Sequence, residues 1–193
     1  PYASSASEMV TELVQYIKGS AIDGVDAEAL LSGIMLDTKN FVLKTGVRTF
    51  EASAYLRRRG ADTVAVKKLF SSTLDNYKQK AQLVSGAEIY MGCAIATSTW
   101  EYEDLRVAAA QAADELLTIL GVRASFVLYK VGSDVSISAR SLGDVNVQLI
   151  LEEFGGGGHL TMAGAQIKNI SMQDAKRSLL RALDQKLSEV SQA

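Results

Sequence analysis

The residues with the clearest chemical potential are four consecutive glycines, Gly155 to Gly158, followed directly by the only histidine of the chain, His159. Glycine loses more backbone freedom on folding than any other residue, so a plain turn rarely needs four of them. Without side chains, the backbone can approach a ligand closely and offer its N–H groups to a phosphate or another anion. A histidine at the end of such a loop can donate a further hydrogen bond. The sequence therefore predicts an anion-binding loop at residues 155–159.

A flexible linker that ends in an exposed histidine is the alternative interpretation of the same residues. The segments on either side are apolar and tightly patterned rather than serine-rich. This pattern favours the binding loop, and the linker stays open as the second interpretation.

Composition narrows the classes of partner. The chain has 193 residues, of which 48% are hydrophobic and 22% charged, so it can form one large domain or two small ones. A net charge of −2 gives no general attraction to nucleic acid, so any anion site must be local. The single cysteine, Cys93, lies in an apolar run and is expected to be a buried, inert thiol. No apolar stretch approaches the roughly 20 residues of a membrane helix, and no signal peptide opens the chain.

The elements that must position the loop fall into two parts. Through the first part, hydrophobic residues recur at helical spacing, and Ser4 or Ser5 can cap the first helix with Glu8 in its first turn. A mostly polar helix over residues 73–87, between two apolar blocks, is typical of a connector. From residue 88 strands alternate with helices, and the predicted strands are Ile89–Ala96, Ala124–Val131, Asp134–Arg140 and Ala165–Ile167.

The predicted fold class is therefore α/β. Residues 1–72 form the helical remnant of one domain, residues 73–87 connect, and residues 88–193 form a compact α/β domain with a mixed sheet of about four to five strands. Because the chain begins at Pro1 without a methionine, we expect it to be a piece of a longer protein.

Several short stretches resemble the DHH-family phosphoesterases. In the second part, the resemblance to their DHH-associated domain rests on Ser138–Ser141, Val145–Val147, Phe154–His159 and Ala163–Gly164. In the first part, the resemblance to the end of their catalytic DHH domain rests on Gly33–Phe41, Arg48–Thr49 and Leu56–Asp62. The similarity covers nearly the whole chain. The stretch Leu-Asp-Thr-Lys-Asn-Phe is similar to the cyclic di-AMP phosphodiesterases of Gram-positive bacteria.

The resemblance implies an activity and a location. Members of that subgroup hydrolyse cyclic di-AMP to a linear dinucleotide with two manganese ions, and they carry membrane anchors and sensory domains ahead of the catalytic pair. The chain is then expected to be the C-terminal part of a signalling phosphodiesterase, soluble by itself and facing the cytoplasm. The intact parent is expected to be anchored in a bacterial plasma membrane.

The resemblance also implies roles for particular residues. Asp37 matches the last metal-binding aspartate of the two-manganese site. Gly155 to Gly158 and His159 match the loop that holds the substrate phosphate and nucleotide, and Arg140 and Ser141 match residues that face the same cleft. From the residues alone, Asp37 would be interpreted as a solvated surface acid, so only the resemblance assigns it to a metal.

The metal site departs from the family pattern. The family's site needs several more aspartates and histidines, including its Asp-His-His triplet, whereas this chain has one histidine and no Asp-His dipeptide. Manganese prefers several oxygen ligands, and two-metal hydrolysis requires two adjacent ions. The chain by itself is therefore expected to be inactive, with manganese absent or partial and the missing ligands upstream of Pro1.

Two alternatives stay open. The parent could be an oligoribonucleotide hydrolase or a RecJ-like exonuclease, although the acidic charge balance disfavours a long nucleic acid as substrate. The second part could also be a nucleic-acid-binding module only, since similar glycine–histidine domains occur in alanyl-tRNA synthetases. The surroundings of Asp37 argue against this. The expected partner is a cyclic dinucleotide or a short oligonucleotide, and a homodimer is left open.

Overall fold

The structure, a computed structural model, describes residues 2–17, 22–100 and 105–190. Internal contacts divide the chain into two compact units, Pro1–Ser71 and Ser72–Ala193. In its described part the first unit consists of helices, namely α1 Ala6–Tyr16, α2 Gly24–Asp37, α3 Val47–Arg58 and α4 Thr63–Leu69. Its apolar core is formed by Ala27, Leu31, Ile34, Ala52, Leu56, Ala61 and Val66.

A buried carboxylate, Glu8, joins α1 to α3. Its side chain is only 1% exposed and accepts hydrogen bonds from the Ser4 N–H at 3.1 Å, from the Ser4 hydroxyl, and from the Thr49 hydroxyl at 2.7 Å. Ser5 caps the same helix, because its hydroxyl oxygen accepts from the Glu8 N–H at 3.0 Å. Burial raises the pKa of Glu8, but the hydrogen bonds outweigh burial and hold that pKa below its ordinary value.

The second unit is a β-sheet with helices packed on both faces. Its elements are α5 Leu74–Ser85, β1 Glu88–Tyr90, β2 Cys93–Ser98, α6 Leu105–Leu116, β3 Ala124–Val131, β4 Asp134–Ser141, α7 Val147–Glu152, β5 Gly157–His159, β6 Met162–Ile167 and α8 Met172–Val190. The six strands lie in the order β1-β2-β3-β4-β6-β5. Among the strands of the described residues, β2 and β3 are the one parallel pair, so the sheet is mixed. The α/β fold class with a mixed sheet is thus confirmed.

Alternation along the strands sorts side chains between two cores. Phe126, Leu128 and Ile137 point to the face covered by α7 and α8. Val127 and Tyr129 point to the opposite face, where the alanine-rich α6 packs together with Leu83 of α5. The helix predicted as a connector over residues 73–87 therefore lies in the second unit as α5, and its Leu83 is buried there.

Two short strands account for the difference between the predicted and observed sheets. The predicted strand Ile89–Ala96 is two strands, because Met91 and Gly92 both take positive φ angles, of 50° and 75°, and reverse the chain. Such a two-residue turn matches the twist of a hairpin. The second addition is β5, whose residues the sequence assigned to a loop. Among the described residues, none of the helices combines the length and apolar character needed to cross a bilayer.

We expect Glu8→Gln to destabilise the first unit by about 1–3 kcal/mol, since the amide presents an N–H group to donors that the carboxylate accepts from. The carboxylate titrates near its ordinary value of 4.5 when unfolded and below that when folded, so its contribution is complete above pH 4.5 and declines as the pH falls further. Urea unfolding, monitored by circular dichroism at several pH values between 7 and 3, measures this contribution to the free energy of unfolding.

The stability difference between the wild-type chain and Glu8→Gln should shrink in acid. Glu51→Gln, an exposed change on α3, is the control and should behave like the wild-type chain at every pH. A difference for Glu8→Gln that does not depend on pH would contradict the assignment of a buried, ionised carboxylate.

Candidate functional site

One face of the sheet is only partly covered, and the predicted loop residues lie there. Helix α6 packs over β3 and borders β4, while β6 and β5 continue the sheet beyond it. Paired residues of antiparallel strands point to the same face. The pairing therefore places two rows of residues on the open face, one made of Ser138, Gly164 and Gly157 and the other of Arg140, Met162 and His159.

These rows form the floor of an open groove of about 490 Å³, which we call the sheet groove. Its wall is the side of α6 that carries Arg106, Val107, Ala110, Gln111 and Asp114. The buried alanines of α6, such as Ala108 and Ala112, lie on the other side of the helix. The groove therefore has a floor nearly free of side chains at the glycines and a wall that supplies charged and amide groups.

Each glycine of the predicted loop has its own structural reason. Gly155 takes a φ of 71° just beyond the end of α7. A Cβ on Gly156 would lie 2.3 Å from the carbonyl oxygen of Gly164, and a Cβ on Gly158 would lie 2.3 Å from that of Met162. Gly157 differs, because its Cβ would meet nothing within 4 Å and its φ is not in the left-handed region.

The glycine segment is consequently not a free linker. Gly157 to His159 form β5, which pairs with Met162 to Gly164 of β6. Gly156 and Gly158 allow close packing against β6, whereas Gly157 leaves open space above the strand. His159 follows at the edge of the sheet with an exposed side chain.

Arg140 is the most enclosed charged residue of the groove. Its side chain is 12% exposed, its Nε lies 3.2 Å from the Oδ1 of Asp114, and its Nη1 donates a hydrogen bond to the carbonyl oxygen of Ala139 at 2.9 Å. An arginine fixed in this way presents its remaining N–H groups as a planar donor set, which suits a phosphate or carboxylate.

Ser141 does not share this position. It follows Arg140 on the same strand, so its side chain points to the opposite face, where it is buried. Its hydroxyl oxygen accepts hydrogen bonds from the N–H groups of Gly143 at 3.0 Å and Val145 at 3.3 Å. Ser141 thus shapes the turn that leads to α7 rather than lining the groove.

The structure therefore brings together most, but not all, of the residues predicted for one site. Gly157, Gly158, His159 and Arg140 line the sheet groove, while Gly155 and Gly156 support it from the end of α7. Sequence reasoning missed the wall on α6. The polar residues at positions 106, 111 and 114 interrupt an alanine-rich helix and indicate a side that is not part of the core, but they do not indicate which strands that side faces.

Asp37 belongs to the first unit and is the exposed last residue of α2. The next residue, Thr38, is buried, and its hydroxyl donates to the carbonyl oxygen of Ile34 at 2.7 Å and accepts from the Phe41 N–H at 3.0 Å. Lys39, Asn40 and Phe41 take positive φ angles of 49°, 57° and 65°. Three successive non-glycine residues in this region are strained. The chain therefore holds a tight, unusual turn directly behind Asp37.

The described residues do not by themselves fit a manganese site. Within residues 2–17, 22–100 and 105–190, no group of three or more histidine, cysteine, aspartate or glutamate residues is placed to hold a metal ion. A hard divalent ion needs several oxygen ligands, and Asp37 supplies one carboxylate.

Comparison with known proteins adds sequence relatives. Residues 94–189 match the family model described as the DHHA1 domain. The chain is 47% identical over 187 residues to the cyclic-di-AMP phosphodiesterase PdeA of Listeria monocytogenes serotype 1/2a (strain 10403S), and 51% identical over 186 residues to the cyclic-di-AMP phosphodiesterase GdpP of Geobacillus thermodenitrificans (strain NG80-2). Each match covers 95% of this chain and 28% of the relative, so the chain spans little more than a quarter of their length.

A solved structure supports the fold. An exopolyphosphatase-related protein from Bacteroides fragilis matches 95% of this chain and 57% of its own chain with a TM-score of 0.85. The sequences are 23% identical, so this likeness concerns the fold alone.

We expect Gly157→Ala to leave thermal stability close to that of the wild-type chain, because the added methyl group meets open space and ordinary backbone angles. Gly156→Ala should destabilise the second unit by about 1–3 kcal/mol, the usual cost of overpacking, because β6 must move away. Thermal unfolding of the two variants tests the assignment. Equal stability losses would show that the two glycines serve the same structural purpose.

Proposed function

The chain belongs to the DHHA1 domain family through residues 94–189, and from this premise we propose that it is part of a phosphodiesterase that hydrolyses cyclic di-AMP to a linear dinucleotide. Identities of 47% and 51% to relatives named as cyclic-di-AMP phosphodiesterases support the proposal. Because those relatives are much longer, the activity is proposed for the longer protein that contains this chain. By the same resemblance, the parent is anchored in the plasma membrane, and this chain faces the cytoplasm.

The observation that carries the proposal is the chemistry of the sheet groove. Arg140 supplies a guanidinium enclosed between strand and helix, and His159 supplies an imidazole on the same row of the floor. Met162 lies between them in that row, and in the neighbouring row the floor is low at Gly164 and Gly157, so a bulky anion can approach the backbone there. A volume of about 490 Å³ lies within the usual range for small-ligand sites. These features suit a nucleotide whose phosphate lies over β5.

The described residues then bind and orient one phosphate of the substrate. Arg140 balances its charge and directs it through N–H groups of fixed geometry. His159 donates one hydrogen bond to an oxygen of the same phosphate. Within the described part of β5, the outer backbone groups face no further strand, because β5 is the edge of the sheet.

The metal ions belong to a different part of the proposed mechanism. Two manganese ions, when bound to the parent, would supply Lewis-acid chemistry at the phosphate. We assign to this chain one ligand, Asp37, and place the remaining ligands outside it. The residues of the sheet groove therefore hold the substrate and do not activate water.

An oligoribonucleotide hydrolase is the second candidate, because the groove is open and a linear dinucleotide carries the same phosphate and bases. The two candidates differ in which substrate is turned over faster by the longer protein. Faster cleavage of a short oligoribonucleotide than of cyclic di-AMP would favour the second candidate. The net charge of −2 argues against a long nucleic acid in either case.

In the longer protein, we expect Asp37→Ala to abolish turnover of cyclic di-AMP and to lower the manganese bound per protein molecule, because a two-metal site loses a carboxylate. Metal analysis after gel filtration and product formation in saturating Mn²⁺ are the two measurements. Asp26→Ala, an exposed change in the first turn of the same helix, is the control and should leave both unchanged. Near-wild-type turnover by Asp37→Ala would show that Asp37 is only a surface residue.

We expect His159→Ala to weaken substrate binding or transition-state stabilisation in the longer protein by about 1.5–3 kcal/mol, the range for a hydrogen bond to a charged group. Bound manganese should not change. The values of kcat, KM and metal content separate this variant from Asp37→Ala. Leu160→Ala, at the neighbouring exposed position of the hairpin, is the control. Loss of manganese from His159→Ala would instead make the histidine a metal ligand.

A further inference from the structure

An acid lies beside the arginine in the middle of the groove. Asp114 is one of the residues of α6 that form the wall, and its Oδ1 is 3.2 Å from the Nε of Arg140. A carboxylate repels a phosphate, so its presence in a groove for anions is electrostatically unfavourable by itself. We therefore expect Asp114 to favour phosphate binding in another way that offsets this repulsion.

The state of the guanidinium indicates what that effect is. The Nε atom of Arg140 is buried, and among the described residues no acceptor completes a hydrogen bond to it, although Asp114 is within ion-pair distance. The Nη1 atom is fixed to the Ala139 carbonyl oxygen. The carboxylate thus lies on the Nε side of the guanidinium, and a small adjustment that aligns it with the Nε–H is favoured because a buried donor without an acceptor is unstable.

We propose that Asp114 is a positioning residue for Arg140, which it holds in the orientation that binds the substrate phosphate. This inference rests on the proposed function. A free arginine side chain has many rotamers, and ordering them on binding weakens affinity. Asp114 on α6 and Ala139 on β4 hold the guanidinium from two elements, so the ordering is complete before the ligand arrives. Asp114 acts through Arg140 and makes no contact with the substrate itself.

The sign of one substitution separates this role from simple repulsion. If Asp114 only adds negative charge to the groove, Asp114→Asn tightens the binding of an anion. If Asp114 positions Arg140, the same change weakens binding despite the lost repulsion. The matched control is Glu115→Gln, which removes one negative charge from the next position of α6, where Glu115 pairs with Lys80 of α5 at 2.6 Å.

The experiment is calorimetric titration of this 193-residue chain with cyclic di-AMP in the presence of EDTA, so that metal ions do not contribute. We expect Asp114→Asn to raise the Kd roughly tenfold, because the ion pair that orders the guanidinium is lost and the ordering must then take place on binding. Glu115→Gln should leave the Kd unchanged. Asp114→Glu, which keeps the carboxylate, should recover part of the affinity.

Two further measurements distinguish positioning from a loss of folding. In the ligand-free chain, the Nε–H resonance of Arg140 should broaden or exchange faster in Asp114→Asn than in Glu115→Gln, at equal Tm. On an Arg140→Lys background, Asp114→Asn should have almost no further effect, because the two residues act as one unit.

The outcomes separate the inference from the proposed function. Unchanged or tighter binding by Asp114→Asn overturns the positioning role, while weaker binding by Arg140→Lys and His159→Ala in the same titration leaves the proposed function standing. An absence of binding by the wild-type chain overturns the positioning role and the assignment of the sheet groove as a phosphate site that works without metal ions, whereas only the turnover assays on the longer protein can overturn the proposed function.

Discussion

The close contact of Gly156 and β5 with β6 is the constraint on which the groove depends. Gly156 and Gly158 approach β6 so closely that one added methyl group would collide with backbone carbonyl oxygens. This approach brings β5 into the sheet and sets the pairing that aligns His159 with Met162 and Arg140. The floor of the groove is thus a product of backbone packing, and the chemistry of its side chains follows from the register.

Sequence patterns predicted the class of fold because strong periodicity survives packing. In β4 apolar Val135, Ile137 and Ala139 alternate with serine and arginine, and such a period of two is typical of a strand. The prediction joined β1 to β2, because the turn between them depends on the left-handed conformation of Met91 and Gly92, and it missed β5, which has only three residues. A short exposed strand has too few residues to show an alternation of apolar and polar side chains, so its formation depends on pairing with a neighbouring strand.

The sequence likewise predicted only some of the residues that line the sheet groove. The glycines and His159 were singled out because their types are unusual where they occur, whereas Arg140 was assigned through the family resemblance. Ser141 was assigned by its place beside Arg140 in a motif, although adjacent strand residues point to opposite faces. The wall on α6 could not be placed from the sequence, because it takes the fold to bring Asp114 to within 3.2 Å of Arg140. Residues that are neighbours in the sequence of a strand therefore lie on opposite faces of the sheet.

The composition of β5 has a consequence for self-association. An edge strand exposes a row of backbone groups that can recruit a strand from another molecule, and proteins limit this with short or poorly strand-forming edges. Glycine has low strand propensity, and β5 has only three residues. The features that open the floor to a ligand therefore also keep this edge a weak template for aggregation. Engineering a stiffer, β-branched edge for stability would close the groove and create a surface on which other copies of the protein could polymerise.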